Sequence, residues 1–169
     1  MKIWRKLLCA GLSAALVCSL AGCKGEKIQK TAEVEGITCT VKVNYGDLDL
    51  EGLLQMPKEG APSVELTSPP SMKGLRAELQ SDGIHLSYQG LRCTLPAEKM
   101  PITSFAQGLF EAMEAVKTNQ SGTQKGDSVC YNGECSAGQY EMTVDGKTGL
   151  PTALALPGIG FSASLCDYQ

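Results

Sequence analysis

Aromatic rings and histidine are scarce in this sequence. Its 169 residues include one Trp, one His and three Phe. Enzyme and metal sites need several convergent ligands, or a base with its partner, and a single histidine, His85, supplies neither. So few rings also make carbohydrate stacking, or an interface rich in aromatic hot spots, a poor interpretation. We therefore expect no enzymatic activity, no cofactor and no metal.

An excess of positive charge is also missing. The chain has 15 basic and 18 acidic residues, a formal net charge of −3. Proteins that bind nucleic acid need clustered lysine and arginine to neutralise phosphates. This balance argues against nucleic acid as a partner.

What the sequence does contain begins at its N-terminus. Three basic residues precede an apolar run over residues 7–20, and the run closes on Leu20-Ala21-Gly22-Cys23. Small residues ahead of a cysteine resemble the bacterial lipoprotein signal. That resemblance implies that residues 1–22 are a signal peptide and that Cys23, with a diacylglycerol on its thiol and an acyl chain on its amine, becomes the first mature residue.

A transmembrane helix is the alternative interpretation of this stretch. Its apolar part, residues 7–21, is shorter than the roughly 20 apolar residues that a span needs, and Gly11, Ser13 and Ser19 interrupt it. The pattern therefore favours a cleaved secretory signal. We expect the mature chain to be lipid-anchored to the cell membrane on its extracytoplasmic face, with the membrane as its first partner.

The remainder is long enough for one domain with a real core. Residues 23–33 are polar and are interpreted as the lipidated cysteine and a short tether, and residues 34–169 as the domain. Apolar and polar residues alternate through many short runs, which is typical of half-buried strands, and Gly46-Asp47, Asp82-Gly83 and Gln89-Gly90 supply turns between them.

One helix is predicted, after Pro101. Thr103 or Ser104 can cap it, and apolar residues follow at spacings of three and four through Val116. A polar loop is expected over residues 119–126, followed by more strands. The fold class is thus α+β, a curved, mostly antiparallel sheet or half-barrel with one covering helix.

Three stretches carry a family resemblance. They are Leu66-Thr67-Ser68-Pro69-Pro70-Ser71-Met72-Lys73-Gly74-Leu75, Tyr88-Gln89-Gly90-Leu91, and Asp145-Gly146-Lys147-Thr148-Gly149-Leu150-Pro151. They resemble Firmicute lipoproteins related to the LolA, LolB and LppX group. The resemblance implies a half-barrel with an apolar cavity that carries lipids or acylated proteins. It brings no catalytic motif to this chain.

The inward faces of the strands and helix are the only candidate binding site. If a cavity exists, its lining residues are Val41, Val43, Leu50, Leu54, Leu75, Leu86, Tyr88, Phe105, Leu109, Phe110, Met113, Met142 and Phe161. Pockets for acyl chains are lined mainly by such side chains. The same residues can equally fill a core, since protein interiors are normally close-packed.

Five cysteines remain after Cys23, an odd number. Cys130 and Cys135 flank Asn132-Gly133, the preferred centre of a two-residue hairpin, which would place the two thiols opposite each other. A disulfide is then possible, and two free thiols are the alternative. The gap lies at the edge of zinc-finger spacing, but no second Cys or His pair follows, so a metal site is not expected.

Together these patterns predict a membrane-anchored lipoprotein that binds or shields an apolar ligand, a lipid or acyl chain, between sheet and helix without catalysis. The alternative is an envelope scaffold or protein-interaction lipoprotein with a solid core. A cavity large enough for an acyl chain would favour the first, and a filled interior the second.

Overall fold

The computed structural model of the protein describes residues 27–96, 105–119 and 121–169. The predicted signal peptide over residues 1–22, the lipidation site Cys23 and the helix-capping residues Thr103 and Ser104 lie outside the described residues, so they stay predictions.

Within the described residues the chain forms one antiparallel sheet of twelve strands. Their order across the sheet is β1-β8-β9-β10-β11-β12-β2-β3-β4-β5-β6-β7. The strands are β1 Lys27–Gln29, β2 Ile37–Tyr45, β3 Leu48–Met56, β4 Ser63–Ser68, β5 Arg76–Gln80, β6 Gly83–Tyr88, β7 Leu91–Pro96, β8 Ser121–Lys125, β9 Ser128–Cys135, β10 Gly138–Asp145, β11 Pro151–Leu156 and β12 Phe161–Cys166.

The sheet consists of two meanders joined side by side. Strands β2 to β7 each pair with the next strand, as do β8 to β12, and β12 pairs with β2 to join the two series. Strand β1 pairs with β8 at one end, which leaves β1 and β7 as the edges of an open sheet. The predicted antiparallel sheet is confirmed, and so is a single helix in the described part of the chain.

That helix, α1, spans Phe105–Thr118. Its apolar stripe faces the sheet, so that Leu109, Phe110 and Met113 are fully buried. Gly108 brings the helix close to the sheet, because a Cβ there would lie 2.7 Å from Cδ1 of Leu156. The resulting core lies between α1 and one face of the sheet.

The C-terminal end of α1 is fixed by charge. Lys117 Nζ lies 2.9 Å from a carboxylate oxygen of Glu35, just before β2, and 2.6 Å from one of Glu114. Burial by itself would lower the pKa of Lys117, but hydrogen bonds and attraction from these two carboxylates outweigh it and raise that pKa. The ammonium therefore stays charged and ties the helix to β2.

Two segments predicted to be irregular are strands. Residues 27–29 of the expected tether form β1, and residues 121–125 of the expected polar loop form β8, which pairs with β1 and β9. Ala32, also in the expected tether, is only 4% exposed. Both strands are too polar to show apolar alternation, and backbone hydrogen bonding to neighbours places them in the sheet.

The predicted hairpin at Asn132-Gly133 is wrong. Strand β9 runs straight through these residues, and the chain turns after Cys135 instead. Gly133 is required by its neighbour across the ladder, since a Cβ there would lie 2.5 Å from Oη of Tyr140. The glycine makes room for an aromatic ring and does not form a turn.

This correction removes the possible disulfide between Cys130 and Cys135. Both cysteines lie on β9 and both are free. Five residues of extended strand separate their Cα atoms by about 16 Å, far beyond the roughly 7 Å limit for a bridge. Of the two alternatives, two free thiols is the one that the structure supports.

Candidate functional site: the inner face of strands β5 to β7

Strands β5, β6 and β7 have one apolar face and one polar face. The face continuous with the core carries Ala77, Leu79, Ile84, Leu86, Tyr88, Leu91, Cys93 and Leu95. The opposite, outer face carries Arg76, Glu78, Gln80, His85, Ser87, Arg92 and Thr94. Side chains alternate along each strand, and the cross-strand register keeps each set on one side.

The apolar face loses its cover towards the edge of the sheet. Ile84 on β6 is 1% exposed, whereas Leu91 and Leu95 on the edge strand β7 are 75% and 37% exposed. Leu86 and Tyr88 lie between these extremes and are half-buried. We call Leu86, Tyr88, Leu91, Cys93 and Leu95 the open floor. Neighbouring apolar side chains exposed together in this way are uncommon on folded domains, which makes this face the candidate site.

One end of the open floor is bounded by a short 3-10 turn over Pro70–Met72. Tyr88 Oη donates a hydrogen bond to the carbonyl oxygen of Ser71 over 2.8 Å, and Gln89 Nε2 donates to Tyr88 Oη over 3.1 Å. Tyr88 therefore presents its ring to the floor while its polar tip is satisfied, a common arrangement for a partly buried tyrosine.

The outer face of the same strands carries polar and charged side chains that contact one another. Arg76 lies 3.4 Å from a carboxylate oxygen of Glu78 and 3.9 Å from one of Glu65. His85 Nε2 lies 2.8 Å from Asp82 Oδ1. A cavity of about 420 Å³ on these strands is lined mostly by such polar side chains, so it does not suit an apolar ligand.

The predicted lining residues fall into two groups. One group is buried in the core together with α1, and it consists of Val41, Val43, Leu50, Leu54, Leu109, Phe110, Met113, Met142 and Phe161. The other group, Leu75, Leu86, Tyr88 and Phe105, is only half-buried. The ring of Phe105 packs against that of Tyr45, with centroids 6.3 Å apart.

Sequence reasoning did not include Leu91, Cys93 and Leu95 among the lining residues. Their alternation with Arg92 and Thr94 predicted a strand, but not that its apolar face lies open at the sheet edge. The register of the hairpin could have identified them. A two-residue turn after Tyr88 places Leu91 opposite Tyr88, on the same face of the sheet.

The thiols in the described chain do not form a reactive centre. All five are free, and burial raises the pKa of Cys39 to about 11, which keeps that thiol protonated and unreactive. His85 and Cys93 lie on opposite faces of adjacent strands, so they do not form a nucleophilic pair. Among the described residues no group of three or more potential ligands could hold a metal ion.

None of the helices in the described ranges is both long and apolar enough to cross a membrane.

Comparisons with known proteins give a distant structural similarity. No family model matches the chain, and no curated protein matches it. Among solved structures, it is similar to a LolA superfamily protein from Nitrosomonas europaea, at 9% sequence identity and a TM-score of 0.37. The aligned region covers 79% of this chain and 82% of that one.

Proposed function

We propose that this protein is a non-enzymatic, membrane-anchored lipoprotein that binds an apolar ligand, a lipid or acyl chain, on the open floor. The observation that carries the proposal is the exposure of that floor. The apolar face of the sheet continues beyond the helix to the edge strand, where Leu91 is 75% exposed.

The ligand would lie beside the helix and not beneath it. Leu109, Phe110 and Met113 have no exposed surface, so the space between α1 and the sheet is already occupied. An acyl chain could enter there only by displacing close-packed side chains, at a cost of several kcal/mol. The open floor offers the same apolar chemistry without that cost.

A curved sheet would make the floor concave, as a half-barrel requires. Cα atoms of α1 come within 8 Å of Cα atoms of both β9 and β5, the third and tenth strands of the sheet order. In a flat sheet those strands would lie about 34 Å apart, whereas a helix of this length spans about 21 Å. Because packed layers are separated by about 10 Å, an 8 Å contact leaves little reach along the sheet, so the helix would not reach both strands of a flat sheet. We infer that the sheet bends around the helix and brings β5 to β7 towards it.

Binding would be driven by removal of apolar surface from water. Each buried methylene of an acyl chain contributes about 0.8 kcal/mol, so micromolar affinity after the costs of association requires burial of most of a long acyl chain, about 15 methylenes. Tyr88 needs no new polar partner from the ligand, because its hydroxyl is already hydrogen-bonded.

Lipid anchoring at Cys23, a prediction from the sequence, would hold the domain close to a source of lipid. Three residues lie between Cys23 and Lys27, the first residue of β1, so four Cα–Cα steps join the two. At about 3.5 Å per residue, the edge of the sheet could be no more than about 14 Å from the anchored residue. The domain would then sit at the bilayer surface.

The test is photo-crosslinking of the full chain in phosphatidylcholine vesicles that contain a diazirine-labelled fatty acid. We expect labelled peptides to map to residues 84–95. Leu91→Glu places a charge on the floor at an exposed position, so it should abolish this labelling without unfolding the domain. Arg92→Glu changes the neighbouring side chain on the outer face and is the matched control.

The proposal would be overturned if Leu91→Glu and Arg92→Glu changed the labelling equally. It would also be overturned if the labelled peptides all lay outside β5 to β7. Equal thermal unfolding midpoints of the two variants confirm that both are folded.

The filled space under α1 favours a second candidate, a solid-core scaffold or protein-interaction lipoprotein. On this alternative the open floor contacts a protein surface. Absence of any fatty-acid labelling in the wild-type chain would select it.

A further inference from the structure

We propose that two copies of this chain pair through their edge strands β7, antiparallel and with Cys93 on the two-fold axis. The pairing goes beyond ligand binding and does not depend on it. In the described residues β7 pairs only with β6, and all six of its residues are exposed. The β6–β7 register contains no bulge. An exposed, regular and apolar edge is a template for another strand.

The turn before β7 determines which of its backbone groups point outward. Gln89 and Gly90 have φ values of 49° and 85°, the two positive angles of a type I′ turn. Tyr88 and Leu91 are therefore a hydrogen-bonded pair, and by alternation so are Leu86 and Cys93. The N–H and C=O groups of Arg92 and Thr94 are left facing away from β6.

Only one register makes two such edges complementary. When Cys93 lies opposite its symmetry copy, Arg92 of each chain faces Thr94 of the other, and these residues exchange hydrogen bonds through their outward groups. Leu91 then lies across from Leu95 of the other copy on the floor side, which covers the most exposed leucine of the edge.

The neighbouring registers are worse for identifiable reasons. A shift of one residue pair towards the turn places Arg92 opposite Arg92 of the other copy, and like charges directly opposed are destabilising. The shift in the other direction places Arg92 opposite Pro96, which has no N–H to donate. The charge of Arg92 and the missing N–H of Pro96 therefore favour pairing with a second copy of this chain in one register. In that register the two open floors are continuous across the two-fold axis.

In this register, a disulfide between the two copies of Cys93 would report that the strands are paired. Across the two-fold axis, Cys93 and its symmetry copy form a non-hydrogen-bonded pair. In such a pair the Cα atoms lie about 4.5 Å apart, within the range of a disulfide. Oxidised glutathione would supply the oxidising equivalents: one Cys93 thiolate displaces glutathione to form a mixed disulfide, and the second Cys93 thiolate then displaces the other glutathione. The products are the Cys93–Cys93 bond and two molecules of reduced glutathione.

The experiment treats the full chain, in phosphatidylcholine vesicles, with oxidised glutathione and separates the products on non-reducing gels. We expect a dimer whose only inter-chain disulfide, by peptide mass spectrometry, joins Cys93 to Cys93. Crosslinking through the half-buried Cys135 or Cys166 to the same extent would overturn the proposal, as would a wild-type chain that remains monomeric.

Thr94→Pro tests the backbone ladder. Its N–H faces away from β6, so proline spares the β6–β7 pairing but removes one inter-chain donor from each copy. We expect the rate of Cys93 crosslinking to fall about tenfold or more, whereas Thr94→Val, which keeps the N–H, retains it. Unchanged crosslinking in Thr94→Pro would contradict strand pairing. Neither change touches a floor side chain, so fatty-acid labelling can succeed or fail separately.

Discussion

The core under α1 and the open floor are made from the same strand pattern, but the core is covered and the floor is exposed. In both, apolar side chains alternate with polar ones along antiparallel strands. Val41 and Leu54 in the covered core have no exposed surface, whereas Leu91 on β7 is 75% exposed. The difference is the position of a single helix, which covers part of a sheet that is wider than it can cover.

This contrast means that the two regions contribute very differently to the stability of the domain. Burial of a large apolar side chain contributes about 1.5–3 kcal/mol, so the covered core supplies most of the folding free energy. The floor contributes little while it is open to water. Its surface is therefore available to a ligand or partner without a loss of domain stability.

The largest expected effect is in the covered core. Phe110→Ala should lower the free energy of unfolding by about 3–5 kcal/mol, because the ring is fully buried and its removal leaves a cavity. Leu91→Ala is the matched change on the floor and should cost less than about 0.5 kcal/mol. Urea denaturation of the two variants measures both values. Similar costs would mean that the floor is also packed.

A smaller effect involves pH and a buried thiol of the core. Because burial raises the pKa of Cys39 from 9.0 to about 11, the folded state binds more protons than the unfolded state between these values. Stability is therefore complete below pH 9 and falls as pH rises to about 11, by about 2 kcal/mol. Urea midpoints measured between pH 8 and 11 test the decline.

The control for this pH dependence is a pair of variants on β2. Cys39→Val should remove the contribution of the thiol and flatten the profile. Thr38→Val, on the other face of the same strand, should leave the decline unchanged. A decline of equal size in Cys39→Val would assign it to other groups, such as Tyr168, whose pKa burial also raises.

An effect of similar size concerns space on β9. Gly133→Ala should destabilise the domain by about 1–3 kcal/mol, because its Cβ would lie 2.5 Å from Oη of the buried Tyr140 and 2.6 Å from its ring. Gly158→Ala is the control, since its Cβ would meet nothing closer than the carbonyl oxygen of Ala137 at 3.7 Å. Thermal unfolding midpoints compare the two. Equal midpoints would show that the Tyr140 ring moves aside at no cost.

Local patterns predicted the regular elements well. The hairpin of β2 and β3 was visible because Gly46-Asp47 separates two alternating runs, and the helix because its apolar residues recur at spacings of three and four. Strands β1 and β8 were not predicted, since their polar sequences take part in the sheet only through backbone pairing.

The candidate site was predicted only in part. The sequence identified Leu86 and Tyr88 as inward-facing, and both lie on the open floor. It placed Leu109 and Phe110 in the same cavity, but these two residues fill the core beside it. Periodicity distinguishes an apolar face from a polar one, but it contains no information on how far a helix extends over that face.

The sequence by itself determined the alternation of faces, the turns that fix register and the amphipathic helix, because each depends on residues close together in the chain. Only the tertiary structure decided that Gly133 makes room for Tyr140 and is not part of a turn, that Cys130 and Cys135 lie too far apart to bridge, and that β7 is an open edge. Those outcomes depend on which distant segment packs against each strand, and the tertiary fold alone determines that packing.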